Sequence, residues 1–284
     1  MAKLPSLVEM LKAGVHFGHQ GSRWHPKMQP YIFGTRNGIH VIDLDKTLEQ
    51  LEITLAYVKA QAAAGKKILF VGTKRQAREI IKAAAESCGM PFLVERWIGG
   101  LLTNFDEFKR RLKKYTGLKE QVKTGEIEKY TKKEQSTLKK QLEKMDKYLS
   151  GLVDVTTLPD ALFIADMRVE KTAITEARRV NLPVVAVCDT NVDPTKATYV
   201  IPANDDAINS IRMIAELVAE AVNEGKREGE KNRAAMVVER EKEMAAVKDA
   251  KTVVESKEEK KPVAPKAAAA PKKEKRALQV GESI

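Results

Sequence analysis

Short apolar runs alternate with amphipathic stretches through the middle of the chain. KKILFVG at 66–72, ALFIAD at 161–166 and PVVAVCD at 183–189 are each followed by a polar loop and then by apolar residues spaced three and four apart. Runs of this kind, apolar on both faces and separated by helices, indicate strands of a parallel sheet covered on both sides. PFLVERW at 91–97 and TYVIP at 198–202 add two more, so about five parallel strands are expected. The helical periods lie in LEQLEITLAYVKAQAAA, KRQAREIIKAAAESCG, EKTAITEARRVN and AINSIRMIAELVAEAVNEG, with Gly65 and Gly89 placed as C-terminal caps. Right-handed crossovers then put helices on both faces, a three-layer α/β/α domain of the doubly wound kind.

From Asn104 to Leu152 the rhythm changes. Phe105, Phe108, Leu112, Tyr115 and Val122 form one apolar stripe, and Leu138, Leu142, Met145, Leu149 and Leu152 form another beyond Thr124-Gly125. Two such stripes predict an inserted antiparallel coiled-coil helical hairpin. Asn104 with Glu107, and Thr131 with Glu134, have capping-box spacing at the two helix starts. The domain organisation is thus an α/β core over 1–103 and 153–225, a hairpin over 104–152 and a charged tail over 226–284. The tail ends in KEEKKPVAPKAAAAPKKEKR. It is expected to continue as exposed helix from Glu228 to Lys251 and to be disordered beyond, because so little apolar surface cannot offset the entropy of ordering. Its lysines are either simply solvated or transient RNA contacts.

Charge narrows the partners. Fifty lysines and arginines against 39 acids give a formal +11, which favours polyanions, nucleic acid ahead of anionic membrane. No segment nears the roughly 20 consecutive apolar residues of a membrane span, and the first residues lack a secretory pattern, so a cytoplasmic location is expected. Cys88 and Cys188 lie in separate apolar runs without CxxC spacing and read as reduced core residues.

The richest candidate chemistry is FGHQGSRWHPKMQPYIFGTRNGIHVIDL at 17–44. Arg23, Lys27 and Arg36 are interleaved with Trp24, Tyr31, Phe33 and glycines, so that cations can neutralise phosphates while rings stack on unpaired bases. YIFG and IHVID also read as a hairpin joined by Thr35-Arg36-Asn37. In VGTKRQAREI, Lys74, Arg75 and Arg78 open a helix after a strand, where a phosphate could rest on the first amides. GxGxxG and GxxxxGK[ST] are both absent, so no nucleotide signature is present. Arg96 and Trp97 either touch RNA or anchor the hairpin base. Lys109, Arg110, Arg111, Lys113 and Lys114, with lysines 132, 133, 139, 140, 144 and 147, give the hairpin an excess of one sign.

All four histidines fall within the first 40 residues. His19 with Asp189 and Asp205, acids at or after strand ends, is a candidate divalent-metal site, set against histidines that are simply hydrogen-bonded. No GxSxG motif or cysteine–histidine pair appears, so no catalytic residue is assigned. An enzyme of the same architecture, holding a phosphorylated small molecule at Gly72–Arg75, is the alternative.

Seven segments taken in order resemble the bacterial small-subunit ribosomal protein S-two family: AGVHFGHQ (13–20), RWHPKMQPYIFGTRNGIHVIDL (23–44), VGTKRQA (71–77), ERWIGGLLTNF (95–105), LPDALFIAD (158–166), PVVAVCDTNVDP (183–194) and YVIPANDDAINSI (199–211). The resemblance implies a flavodoxin-like (Rossmann-like) core with a coiled-coil hairpin. It further implies binding to small-subunit rRNA at the head–body junction, docking of ribosomal protein S-one, no catalysis, no required cofactor and no small-molecule substrate. The RNA-facing residues it implies are Arg23, Lys27, Arg36, Asn37, Lys74, Arg75, Arg96 and Trp97, to which Trp24 and the basic residues 109–114 are added from composition. His25, Val192 and Ala203 depart from the family's usual asparagine, cysteine and glycine.

Overall fold

The structure is a computed structural model and describes residues 4–258. The chain divides at Arg233 into two units. The first unit opens with α1 (Leu7–Ala13), started by a reciprocal Ser6–Glu9 capping box and ended by Gly14 at φ 74°. A small antiparallel sheet follows, from β1 (Phe17–Gln20), β2 (Ile32–Arg36) and β3 (Ile39–Ile42) in the order β1-β3-β2. The turn between β2 and β3 falls at Asn37-Gly38, both with positive φ, so Thr35 and Arg36 belong to the strand and not to the loop expected there.

The main domain then runs α2 (Leu44–Ala63), β4 (Ile68–Val71), α3 (Arg78–Cys88), β5 (Phe92–Leu93), α4 (Phe105–Lys123), α5 (Lys132–Leu149), β6 (Ala161–Ile164), α6 (Lys171–Arg179), β7 (Val184–Cys188), β8 (Tyr199–Pro202) and α7 (Ile208–Glu258). Five parallel strands pair in the order β5-β4-β6-β7-β8, the flavodoxin-like arrangement in which the chain reverses direction across the sheet beside β4. Alternation along the strands fills two cores. Ile68, Phe70, Phe163, Val185 and Val187 pack against α2, α3 and α7, whereas Leu69, Val71, Leu162, Ile164 and Ala186 pack against α4 and α6. Both cysteines are free and buried.

The two inserted helices lie against each other, Tyr115 donating from its hydroxyl to Asp146 across the pair. Phe108, Leu112, Tyr115 and Leu118 are the buried stripe of α4, so Leu118 takes the place expected for Val122. The Thr131–Glu134 capping box forms in both directions. Asn104, by contrast, makes no side-chain cap: its backbone, at φ −132° and ψ 57°, departs from the extended conformation of an N-cap, and Glu107 turns to Arg110 and Arg111 at 3.5 and 3.6 Å.

Two features lock the unit, and neither is evident from periodicity. First, Glu176 of α6 is buried and gathers the loop that leads into α4. Its Oε1 accepts from Trp97 Nε1 at 3.0 Å and Gly100 N at 2.9 Å, and its Oε2 from Leu102 N at 3.1 Å and from the Thr103 amide and hydroxyl. Burial would raise this carboxyl, but the bonds from Gly100, Trp97, Leu102 and Thr103 hold it below its ordinary value. Gly100, at φ 83°, supplies the bend that brings these amides together. Second, α7 crosses the end of α2 at Gly225 and Gly229, where an added Cβ would lie 2.3 Å from Lys59 O and 2.2 Å from Ala63 O. Packing thus continues past the composition change at Gly225. From Ala234 the second unit is helical to Glu258, beyond the Lys251 limit expected for the helix; residues 259–284, where disorder was expected, lie outside the described residues.

Glu176→Ala strips several buried donors of their acceptor and is expected to cost about 3–5 kcal/mol. Glu176→Gln keeps the shape and should cost less, both read by urea unfolding. Since the folded-state carboxyl is depressed, the wild-type contribution is present above the unfolded value and fades as pH falls through the folded one. Gly225→Val is expected to destabilise by about 1–3 kcal/mol through overpacking, measured the same way.

Candidate RNA interface

The chain reversal beside β4 puts the C-terminal ends of β4 and β6 where open α/β sheets hold ligands. Here that place is filled from within. Lys74 Nζ lies 3.0 Å from Asp166, 2.9 Å from Asp205 and 2.8 Å from Asp206, and donates to the Asp205 carbonyl at 2.7 Å. Burial would depress this ammonium, but its bonds to Asp206 and Asp205 hold it above the ordinary lysine range. The preceding amide, Thr73 N, donates to the buried Glu170 at 2.9 Å. Helix α3 begins only at Arg78, whose guanidinium bonds Thr73 O and Glu95. The Gly72 and Thr73 amides and the Lys74 ammonium are therefore engaged within the fold. The Lys74 ammonium, expected to be open to a phosphate, is thus held by carboxylates of the fold. Of that loop, only Arg75 is exposed.

The same cluster holds the N-terminal segment to the core. His19 Nδ1 lies 3.0 Å from Asp189 and Nε2 lies 3.5 Å from Asp206, while the His19 amide donates to Thr190 Oγ1 at 2.8 Å. The hydrogen bond to Asp189, opposed by burial and aided by the nearby acids, raises the His19 pKa. Atoms of His19, Asp205 and Asp206 lie within 4.8 Å of one another and would be the ligands of a cation. Asp189, expected in that set, is instead the hydrogen-bond partner that orients His19. Lys74 already bonds both Asp205 and Asp206.

The other candidates separate into exposed and structural groups. Arg23, Lys27, Arg36, Asn37, Arg96, Arg110, Arg111, Lys113 and Lys114 are exposed, and Lys109 is half-buried with its ammonium 4.8 Å above the Phe105 ring. Lys27 is engaged with Asp193 at 3.0 Å and Thr195 at 3.1 Å. Trp24 is half-buried against His40, ring centroids 5.2 Å apart. Trp97 is 8% exposed and bound to Glu176, so it anchors the hairpin base and offers no face to a base. Sequence reasoning missed Glu176, although a carboxylate among the core-facing Ala173, Ile174 and Ala177 of α6 marks a buried acid. It also missed a basic groove. Arg23, Arg168, Lys171, Arg178, Arg179 and Lys196 line an open depression of about 880 Å³ between α6 and the loop after β7.

Titration of the cluster has a defined sign. Burial, together with Asp166 and Asp189, pushes Asp205 up to about 7, against the pull of Lys74. Between its ordinary value of 3.8 and about 7 the folded chain holds a proton that the unfolded chain has released, so stability falls as pH rises. His19, raised above 6.5, adds stability that is present below that value and lost as pH rises through the folded one. Both trends run the same way. Asp205→Asn is expected to flatten the decline in melting temperature across this window, measured by thermal melts at stepped pH.

The family model for Ribosomal protein S2 matches residues 10–225. The small ribosomal subunit protein uS2 of Coprothermobacter proteolyticus is 52% identical over 224 residues, which cover 79% of this chain and 83% of that protein. The matched span takes in the small sheet, the five parallel strands, the inserted helices and the Lys74 cluster, and the chain belongs to the ribosomal protein S2 family.

Proposed function

We propose that this chain binds small-subunit rRNA at the head–body junction, in the cytoplasm, and helps to dock ribosomal protein S-one. Family membership carries the coarser role, a structural constituent of the small ribosomal subunit. The observation that supports RNA binding is the one-sided charge of the inserted helices. α4 carries seven lysines and arginines against three acids, and α5 six lysines against three. Most of these side chains point away from the buried stripe. A polyanion that releases its condensed counterions to solution on binding such a surface gains affinity that depends steeply on salt. Arg23, Arg36, Arg75 and Arg96 extend the basic surface outside the hairpin.

Docking of S-one is supported by apolar side chains left exposed on α1 and the small sheet. Leu7, Val8, Leu11 and Phe17 are of this kind, and Phe33 is 80% exposed where a register shift leaves it outside the ladder. The proposed role assigns the chain no catalysis, required cofactor or small-molecule substrate. Among the described residues, no helix is long and apolar enough to cross a membrane.

The purified chain is expected to bind small-subunit rRNA with log affinity falling linearly in log salt, and to leave small subunits at high salt in sedimentation. Lys139→Glu with Lys140→Glu should weaken binding by about tenfold or more and make the salt slope shallower. An affinity indifferent to salt would refute the electrostatic reading.

A further inference from the structure

The groove between α6 and the loop after β7 carries charge that the fold itself does not use. Arg23, Arg168, Lys171, Arg178, Arg179 and Lys196 are all exposed around it, and among the described residues none of the six forms an ion pair. The one acid in the lining, Asp193, is already matched. Lys27 bonds it at 3.0 Å, and although burial opposes ionisation, the bonds from Thr195 and Lys27 hold its carboxyl down at about 2.

Ordinary helix electrostatics explain only part of this. Arg178 and Arg179 occupy the last turn of α6, where the dipole favours cations. Lys171 occupies the first turn, where the dipole disfavours a cation, and no acid of that turn offsets it. Residues 171, 175 and 178 share the groove-facing side of the helix. Arg23 reaches the same groove from the N-terminal segment, which is tied down beside it by His25 N donating to Thr190 O at 2.7 Å. Met167, Ile174 and Val192 lie in the lining between the charged rims and are themselves buried. Cations on several sides of an open trough with an apolar floor match a sugar–phosphate strand, phosphates on the rims and ribose below.

We propose that this groove is a second RNA-backbone site, separate from the inserted helices, and that it grips consecutive phosphates of small-subunit rRNA. The proposal rests on the rRNA-binding reading above and adds an address that it does not contain. An open lining with cations from α6, the loop after β7 and the N-terminal segment favours a strand over a single small phosphate.

The test uses the full chain with Lys171→Glu and Arg178→Glu together, alongside the Lys139→Glu, Lys140→Glu pair on α5. Thermal melts establish folding; if the reversal pair melts early, Lys171→Gln with Arg178→Gln replaces it. The groove pair is expected to weaken rRNA binding by about tenfold or more and to lower the log–log salt slope by about one to two. Unchanged affinity and slope in the groove pair, with the α5 pair impaired, would overturn the groove and leave the broader reading standing. Absence of rRNA binding by the wild type would overturn both. Calorimetry with inorganic phosphate separates the remaining occupant: stoichiometric phosphate binding that the groove pair loses, with rRNA affinity unchanged, would show a small-anion site in place of an RNA one.

Discussion

Most of this molecule's behaviour depends on one ammonium held among three carboxylates. Lys74 arrives from the end of β4, Asp166 from the end of β6, and Asp205 and Asp206 from the segment after β8. Bringing these acids together without a cation would set like charges against one another in a poorly hydrated place. Lys74 makes their convergence tolerable, and His19 joins the outer side of the same cluster through Asp189 and Asp206. The N-terminal sheet is thereby fastened to the C-terminal strand ends of the parallel sheet by charge as well as by the bonds from the His19 and His25 amides to Thr190. The usual ligand position of the architecture has become an internal fastening.

Binding surfaces are correspondingly displaced to the outside. Among the described residues, basic side chains without an ion pair lie on α4 and α5, on the N-terminal segment and around α6, with Arg75 and Arg96 in the loops after β4 and β5. Glu176 connects two of these regions, because the helix that carries Lys171 and Arg178 on its outer side uses its inner carboxylate to fix the loop leading into α4. Orientation of the inserted helices and exposure of the α6 cations are set by opposite faces of one short helix.

The sheet, its strand count and the helical periods were legible because both cores are built from alternation along strands and three-four spacing along helices, and these patterns are local. The hairpin stripe was legible except at its far end, where burial of Leu118 instead of Val122 depends on how the two helices pack. Residue roles were less legible wherever two distant segments meet. Lys74 reads as a free cation beside a strand because its three partners lie about 90 to 130 residues away, and Trp97 stays open between RNA contact and hairpin anchor because Glu176 is distant in sequence. The Asn104 cap failed for a local reason, since the backbone there, at φ −132° and ψ 57°, leaves the extended conformation that a cap requires. The groove was invisible to a linear reading, its lysines and arginines being scattered from Arg23 to Lys196.

Gly225 and Gly229 set a rotational key for the last helix. Each residue of an α-helix turns the chain by roughly 100°, so inserting or deleting a single position in α7 ahead of them would swing both glycines off α2 and bring a side chain against the carbonyls of Lys59 and Ala63. The helix is thus indexed to the core by two missing side chains. Variation in length is tolerable only downstream of that index, which puts the boundary between a segment counted residue by residue and one free to lengthen or shorten inside a single helix, with no loop to mark it.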